Sequence, residues 1–297
     1  MPERREVKID AFMPPEMASK AEDAGVKKGH LPLMEMFMLA VMAGSFIAMG
    51  AVLSTTVVTG NGAGGAIKLP YGLMKLLGGF SFCLGLILVI IAGAELFTGN
   101  CLMVMATVSR KMTVTRLFRN WIVVYCGNLV GSVVTAYVMF YTGQFESAGG
   151  LVGDVAMTIA NGKCGLTLME ALTRGVYCNA LVCLAVWLCF SCRTTGDKIL
   201  AILFPITAFV AVGFEHCVAN MYFVPIGIFI KGGASPEFWS GIGKTASSFA
   251  NLTWGNFIIK NLIPVTIGNI IGGAGFVAVV YWVVYRWAAQ KEARRDS

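Results

Sequence analysis

Gly93-Ala-Glu-Leu-Phe-Thr-Gly-Asn100 interrupts one long apolar run, and Gly213-Phe-Glu-His-Cys-Val-Ala-Asn220 interrupts another 120 positions later. Each stretch has a glycine, a carboxylate two residues on and an asparagine five residues after that. Outward from them, apolar runs lie near 33–58, 72–107, 119–142, 167–191, 198–230 and 256–285. Each is long enough to cross a hydrocarbon core, which takes about 20 residues of helix. The second and fifth runs, which hold the two polar stretches, exceed what one simple crossing needs. Those stretches therefore read as breaks in membrane helices.

A second pair of strings follows in the same order. Asn120-x6-Gly127-Asn128-x2-Gly131 returns as Asn261-x6-Gly268-Asn269-x2-Gly272. Each half of the chain then has three crossings, so the second half enters the membrane inverted relative to the first. Inverted repeats with one broken helix apiece point to a permeation or binding site near the midplane. Irregular backbone at membrane depth persists only where it is buried in protein or lines a cavity.

Composition agrees. Charged residues are 13% of the 297 and hydrophobic ones 57%, against roughly 25% charged in a soluble domain. Residues 1–35 carry thirteen charges and 286–297 carry six, leaving 20 for everything between. The net charge of +7 forms no patch that would suit nucleic acid. Sixteen of the 23 Lys and Arg fall in the two end segments and in 108–119 and 192–199, which assigns those parts to the cytoplasm. Residues 1–32 hold Pro14-Pro15 and no apolar core, so no signal peptide is expected. The chain divides into an N-terminal cytoplasmic segment (1–32), a six-helix pore domain (33–286) and a cytoplasmic tail (287–297). Glu16 and Lys20, spaced i,i+4, mark an amphipathic surface helix in the first part. The nine cysteines mostly sit in apolar runs and read as packing residues; Cys189-x-x-Cys192 has no second pair with which to hold zinc.

Inside the spans, polar residues need a reason. His216 lies in the second break beside Glu215, and an ionisable group at that depth is a functional candidate; the plainer alternative is a neutral imidazole satisfied by backbone. Glu95 and Glu215, with Asn100 and Asn220, hold matching places, which suits a scaffold that bonds the exposed amides of the breaks. Lys163 is alone in the otherwise uncharged stretch 155–169, ahead of the fourth span. Asn179 comes 16 residues later, near the middle of the membrane. Phe82 and Leu86, at i,i+4, share one helix face.

These strings resemble the formate/nitrite transporter family, most closely its bacterial formate channels. Gly93 to Thr98, Lys163 with Asn179, Cys178-Asn-Ala-Leu-Val-Cys-Leu-Ala-Val-Trp187, Gly213 to Met221 and Asn261-Leu-Ile-Pro-Val-Thr-Ile-Gly-Asn269 carry the likeness. It runs from about Leu33 to Trp287, and Met13-Pro-Pro-Glu-Met17 also fits. The resemblance implies an all-α, aquaporin-like protomer in a homopentamer in the bacterial cytoplasmic membrane, with a pore in each protomer. It makes His216 the central pore histidine, Lys163 the vestibule lysine, Thr98 a loop residue at the broken second helix and Asn179 part of the pore wall. Phe82, Leu86, Leu96, Phe97 and Phe209 become the constrictions. The loop reads Phe97-Thr98-Gly99-Asn100, where many formate channels have Ser after the Thr.

The expected function is pH-dependent passage of formate, with nitrite or hydrosulfide as the alternative within the same family. The partners are then the anion, protons, the bilayer and other copies of the chain. Bare charge in low dielectric costs of order 20 kcal/mol, whereas protonating a carboxylate of pKa near 4 at pH 7 costs about 4 kcal/mol. The anion is therefore expected to cross as its neutral acid, concentrated first by Lys163, with His216 as a proton-coupled switch. No enzyme activity, cofactor or metal is expected. There is no G-x-S-x-G elbow, haem ligation by two histidines fails because His30 lies outside the spans, and no Asn-Pro-Ala marks a water channel.

Overall fold

The protein is described by a computed structural model covering residues 10–59 and 69–287; of the expected tail, all but Trp287 lies outside the described residues. A surface helix, α1 (Pro14–Gly29), precedes the first span, α2 (Leu33–Val58). The second span begins as α3 (Tyr71–Leu88), runs on to Gly93, breaks, and resumes over Gly99–Met103 and α4 (Val104–Val108). The third is α5 (Val114–Tyr141). A second short helix, α6 (Leu151–Cys164), leads into α7 (Leu168–Ser191). The fifth span is α8 (Thr195–Val212), a break, and α9 (Cys217–Gly233), which turns by 112° into α10 (Pro236–Ile242). The sixth span, Ala246–Trp287, closes the bundle. No strand occurs among the described residues. The expected six spans and both breaks are present.

Local chemistry sets where these helices start. Pro32 and Pro70 stand directly ahead of α2 and α3. There an absent N–H breaks no hydrogen bond. Thr167 caps α7 and Thr194 caps α8, each in a reciprocal box with Glu170 or Asp197. The outward faces are apolar: Phe118, Ile122, Val134 and Val138 on α5, and Leu200, Phe204 and Val212 on α8, are exposed. The polar side chains are inside, among them Asn120, Asn128, Asn179, Asn261 and Asn269. That inside-out arrangement is what a bilayer demands of a multi-pass protein.

Packing repeats with the sequence. Gly131 on α5 rests against the carbonyl of Val41 on α2, and Gly272 in the sixth span rests against that of Val176 on α7. A Cβ at either glycine would run into that oxygen, so only glycine allows these helices to approach so closely.

α1 is bound to the face where the sixth span ends, here termed the terminal face. Its Glu22, with no exposed surface, receives Arg286 Nε at 2.9 Å and Nη2 at 3.0 Å, Lys111 Nζ at 2.7 Å and the Ser109 hydroxyl. Burial alone would raise the Glu22 pKa, but the bonds from Arg286, Lys111 and Ser109 outweigh it and hold the carboxyl below its ordinary 4.5. Ahead of the helix, Phe12 N–H donates to Ser191 O at 3.0 Å and Arg193 Nε to Asp10 O at 2.6 Å. These contacts come from the far end of the chain and from two interhelical loops.

Candidate functional site

Both breaks begin at a glycine in the left-handed region, Gly93 at φ 82° and Gly213 at φ 83°, which a side chain would disfavour. The backbone groups freed there are taken up by one asparagine in each half. Asn128 accepts from Phe97 N–H at 2.9 Å and donates to Ala40 O at 2.7 Å and Glu95 O at 2.9 Å. Asn269 accepts from Cys217 N–H at 2.9 Å and donates to Gly175 O at 2.8 Å and Glu215 O at 2.9 Å. An unpaired buried amide costs roughly 1–3 kcal/mol, so each asparagine makes its break tolerable.

The carboxylates are duplicated too. Glu95 Oε2 accepts from Asn100 Nδ2 at 2.7 Å, and Asn100 also donates to Asn120 Oδ1 at 2.9 Å. Glu215 Oε2 accepts from Asn220 Nδ2 at 2.7 Å, and Asn220 donates to Asn261 Oδ1 at 2.7 Å. The other oxygen of each carboxylate faces a lysine: Lys28 Nζ lies 2.6 Å from Glu95 Oε1, and Lys163 Nζ lies 2.9 Å from Glu215 Oε1. Lys28 is in the last turn of α1 and Lys163 in the last turn of α6. The structural repeat is therefore a short helix plus three crossings, and α1 belongs to it. Sequence reading singled out Lys163 and passed over Lys28. A signal was available, because each lysine stands five residues before the first residue of the following span, Leu33 or Leu168.

At the centre the halves differ. His216 Nε2 lies 2.9 Å from Thr98 Oγ1, joining the two breaks. His216 Nδ1 accepts Ala219 N–H at 3.0 Å and so caps α9. An accepting Nδ1 assigns the proton of the neutral ring to Nε2, which donates to Thr98. The ring also sits at the positive end of the α9 dipole. Asn179 Nδ2 donates to Thr98 O at 3.2 Å and Asn269 O at 2.7 Å, tying the first break to the sixth span.

Two cavities approach this bridge. The one on the face away from α1, here the distal vestibule, encloses about 350 Å³ and includes Lys163, Glu215, His216, Phe82 and Phe209 in its wall. The terminal vestibule encloses about 490 Å³ and includes Lys28, Glu95, Leu86 and Leu96. The Phe82 and Phe209 rings meet edge to face at 5.7 Å between centroids, and His216 lies nearly parallel to Phe209 at 5.9 Å. Phe82, Leu86, Leu96 and Phe209 are all buried. Phe97 lines neither cavity; it packs against Trp121 and Tyr125, at 6.0 and 5.0 Å, because its backbone N–H is bound to Asn128 and turns it toward α5. Thr98 and Asn179 also line neither cavity wall and have no exposed surface. Thr98 reaches the distal vestibule through His216, and Asn179 only through Thr98.

Among the described residues no three His, Cys, Asp or Glu side chains are grouped to hold a metal ion. Known proteins match this architecture along most of its length. The family model for formate/nitrite transporters covers residues 15–283. The chain is 44% identical over 277 residues to the formate channel FocA of Escherichia coli K12, covering 93% of this chain and 95% of that one. It is 42% identical to FocA of Haemophilus influenzae, covering 93% and 96%. Among solved structures, a pentameric formate channel with formate bound superposes with a TM-score of 0.80 at 46% identity, covering 85% of this chain and 97% of that one. An FNT family ion channel superposes with a TM-score of 0.75 at 26% identity, covering 91% and 98%. With six spans, two matched breaks and this extent of likeness, the chain belongs to the formate/nitrite transporter family.

Proposed function

We propose that the protein passes formate across the bacterial cytoplasmic membrane as neutral formic acid, through one pore in each protomer of a homopentamer. Both termini face the cytoplasm in this reading, which follows the Lys and Arg distribution. The observation that carries the pore is the Thr98–His216 bridge, 2.9 Å long, lying between two lysine-bearing vestibules and bracketed by buried Phe and Leu side chains. The formate channels among its relatives supply the anion.

Magnitudes select the mechanism. A bare anion between the Phe82–Phe209 pair and the Leu86–Leu96 pair faces a cost of order 20 kcal/mol, and neutralisation at pH 7 costs about 4 kcal/mol. Formate gathers in a vestibule, takes a proton and crosses the apolar rings uncharged. The His216 Nε2–H is placed to leave Thr98 and donate a hydrogen bond to a carboxylate oxygen. Vestibule water delivers the acidic proton only while this bond holds the carboxylate in place. If the ring itself took a second proton, Nδ1 would change from acceptor to donor and α9 would lose its cap, at about 1 kcal/mol. His216 is thus a switch coupled to the first turn of α9.

Flux of formate, nitrite and hydrosulfide into proteoliposomes at about pH 7.5 and about pH 5.5 tests this. Formate preference with a rate that rises on acidification is expected. Preference for another anion would move specificity to the Phe97–Asn100 loop, and absence of anion flux would refute the reading.

A further inference from the structure

Lys163 is not the free charge of its vestibule. Its ammonium is 2.9 Å from Glu215, and a neutralised pair projects only a dipole toward an approaching anion. Two further cations line the same cavity, Lys75 and Arg174. Lys75 is on α3, seven residues before Phe82, which puts it two turns, about 10.5 Å, outward of the aromatic constriction on the same helix face. No carboxylate lies within 4 Å of it among the described residues, and its ammonium is 5.5 Å from the Tyr71 ring centroid. Arg174 is paired with Glu170 at 3.4 Å, which offsets its charge in part, and Glu170 also accepts from Thr167 N–H at 2.9 Å and Oγ1 at 2.8 Å in the α7 cap. Three cations thus face one carboxylate in the cavity wall. The terminal vestibule has the same balance, with Lys27 and Lys198 beyond the paired Lys28 and Glu95.

We propose that Lys75, assisted by Arg174, captures the permeating carboxylate at the distal vestibule, while the paired Lys163 and Glu215 brace the break behind it. The proposal rests on the formate reading above. A walled cleft with uncompensated charge of one sign focuses its field and raises the local anion concentration. One unpaired charge about 10 Å from the anion in a water-like dielectric raises its occupancy about twofold at low salt, and the partly offset Arg174 adds less. The same potential lowers the local proton concentration by the same factor, leaving neutral acid unchanged. The readout is therefore the half-saturating formate concentration and not the pH profile.

The experiment measures formate uptake against concentration in vesicles of one orientation, with formate at the distal face, in about 10 mM and about 500 mM inert salt. For the unmodified protein, half-saturation should rise at least about twofold at high salt. At low salt Lys75→Gln should raise it about twofold and Lys75→Gln with Arg174→Gln by more than that, with Lys75→Arg matching the unmodified protein. At high salt the variants should converge. An unmodified protein indifferent to salt, variants that match it at low salt, or a shift persisting at high salt would each overturn the proposal. Absence of formate uptake by the unmodified protein would instead refute the formate reading itself.

Discussion

The two broken helices are built to one plan, yet five of the eight positions of the break differ, two of them with visible consequence. Glycine, glutamate and asparagine coincide, and so do the asparagine that mends the break and the lysine that meets the carboxylate. But Leu96 stands where the second break has His216, and Thr98 stands where it has Val218. The consequence is visible in the backbone. His216 caps α9, which starts as a regular helix, whereas Leu96 has no side-chain acceptor and the chain passes through a tight 3-10 segment, Gly99–Met103, before α4. Shared residues make the scaffold, and two of the differing ones, His216 and Thr98, make the side-chain contact that joins the two breaks.

Four measurements break or sharpen that comparison. Glu95→Ala and Glu215→Ala should each destabilise the protein most, because each strands a lysine and an asparagine; about 3–5 kcal/mol is typical for half of a buried pair. Thermal unfolding in detergent should show similar losses for both, and a large inequality would mean that the halves are not equivalent scaffolds. The lysine-bearing helices come next. α1 is held by the fully buried Glu22 and α6 by a partly exposed Asp154–Lys244 pair at 2.5 Å. Glu22→Gln should loosen α1 by about 2–3 kcal/mol and Asp154→Asn should loosen α6 by less than about 1 kcal/mol, read as faster hydrogen exchange in residues 14–29 and 151–164. Because the Glu22 pKa is depressed on folding, its contribution is full above its ordinary 4.5 and is lost as pH falls through the lower folded value. Acid exchange profiles should show α1 loosening in that window.

His216→Leu makes the second break resemble the first. Loss of the α9 cap should cost about 1 kcal/mol, and formate flux should lose its rise between about pH 7.5 and about pH 5.5. Flux that kept its pH dependence would remove His216 from the proton-coupled step. The smallest effect is expected at Thr98→Val, the counterpart of Val218. Losing one hydrogen bond of about 1 kcal/mol should change flux about fivefold, with Thr98→Ser restoring most of it.

Much of this was legible in the chain itself. Hydropathy and length fixed the spans, since no short-range alternative hides so much apolar surface. The duplicated Gly-x-Glu-x4-Asn strings located both breaks, and the Asn and Gly of the third and sixth spans followed from their spacing. Glu95 and Glu215 are expected to bond the exposed amides of the breaks; in the fold those amides go to Asn128 and Asn269, and the carboxylates bond Asn100, Asn220 and two lysines. What stayed hidden depends on partners distant along the chain. Lys28 looked like one charge among thirteen in the first 35 residues until folding set it against Glu95. Phe97 carries the same apolar signal as Phe82, and only the fold sets its backbone N–H on Asn128 and its ring against Trp121 and Tyr125.

By itself, the sequence determined six crossings, two breaks and an inverted duplication, because burial in lipid is a property of each segment's own composition and period. The tertiary structure alone decided which side chain faces a vestibule, which lysine is neutralised and which histidine nitrogen holds the proton. Those depend on directional contacts of about 3 Å between residues up to 264 positions apart, and no local pattern encodes them.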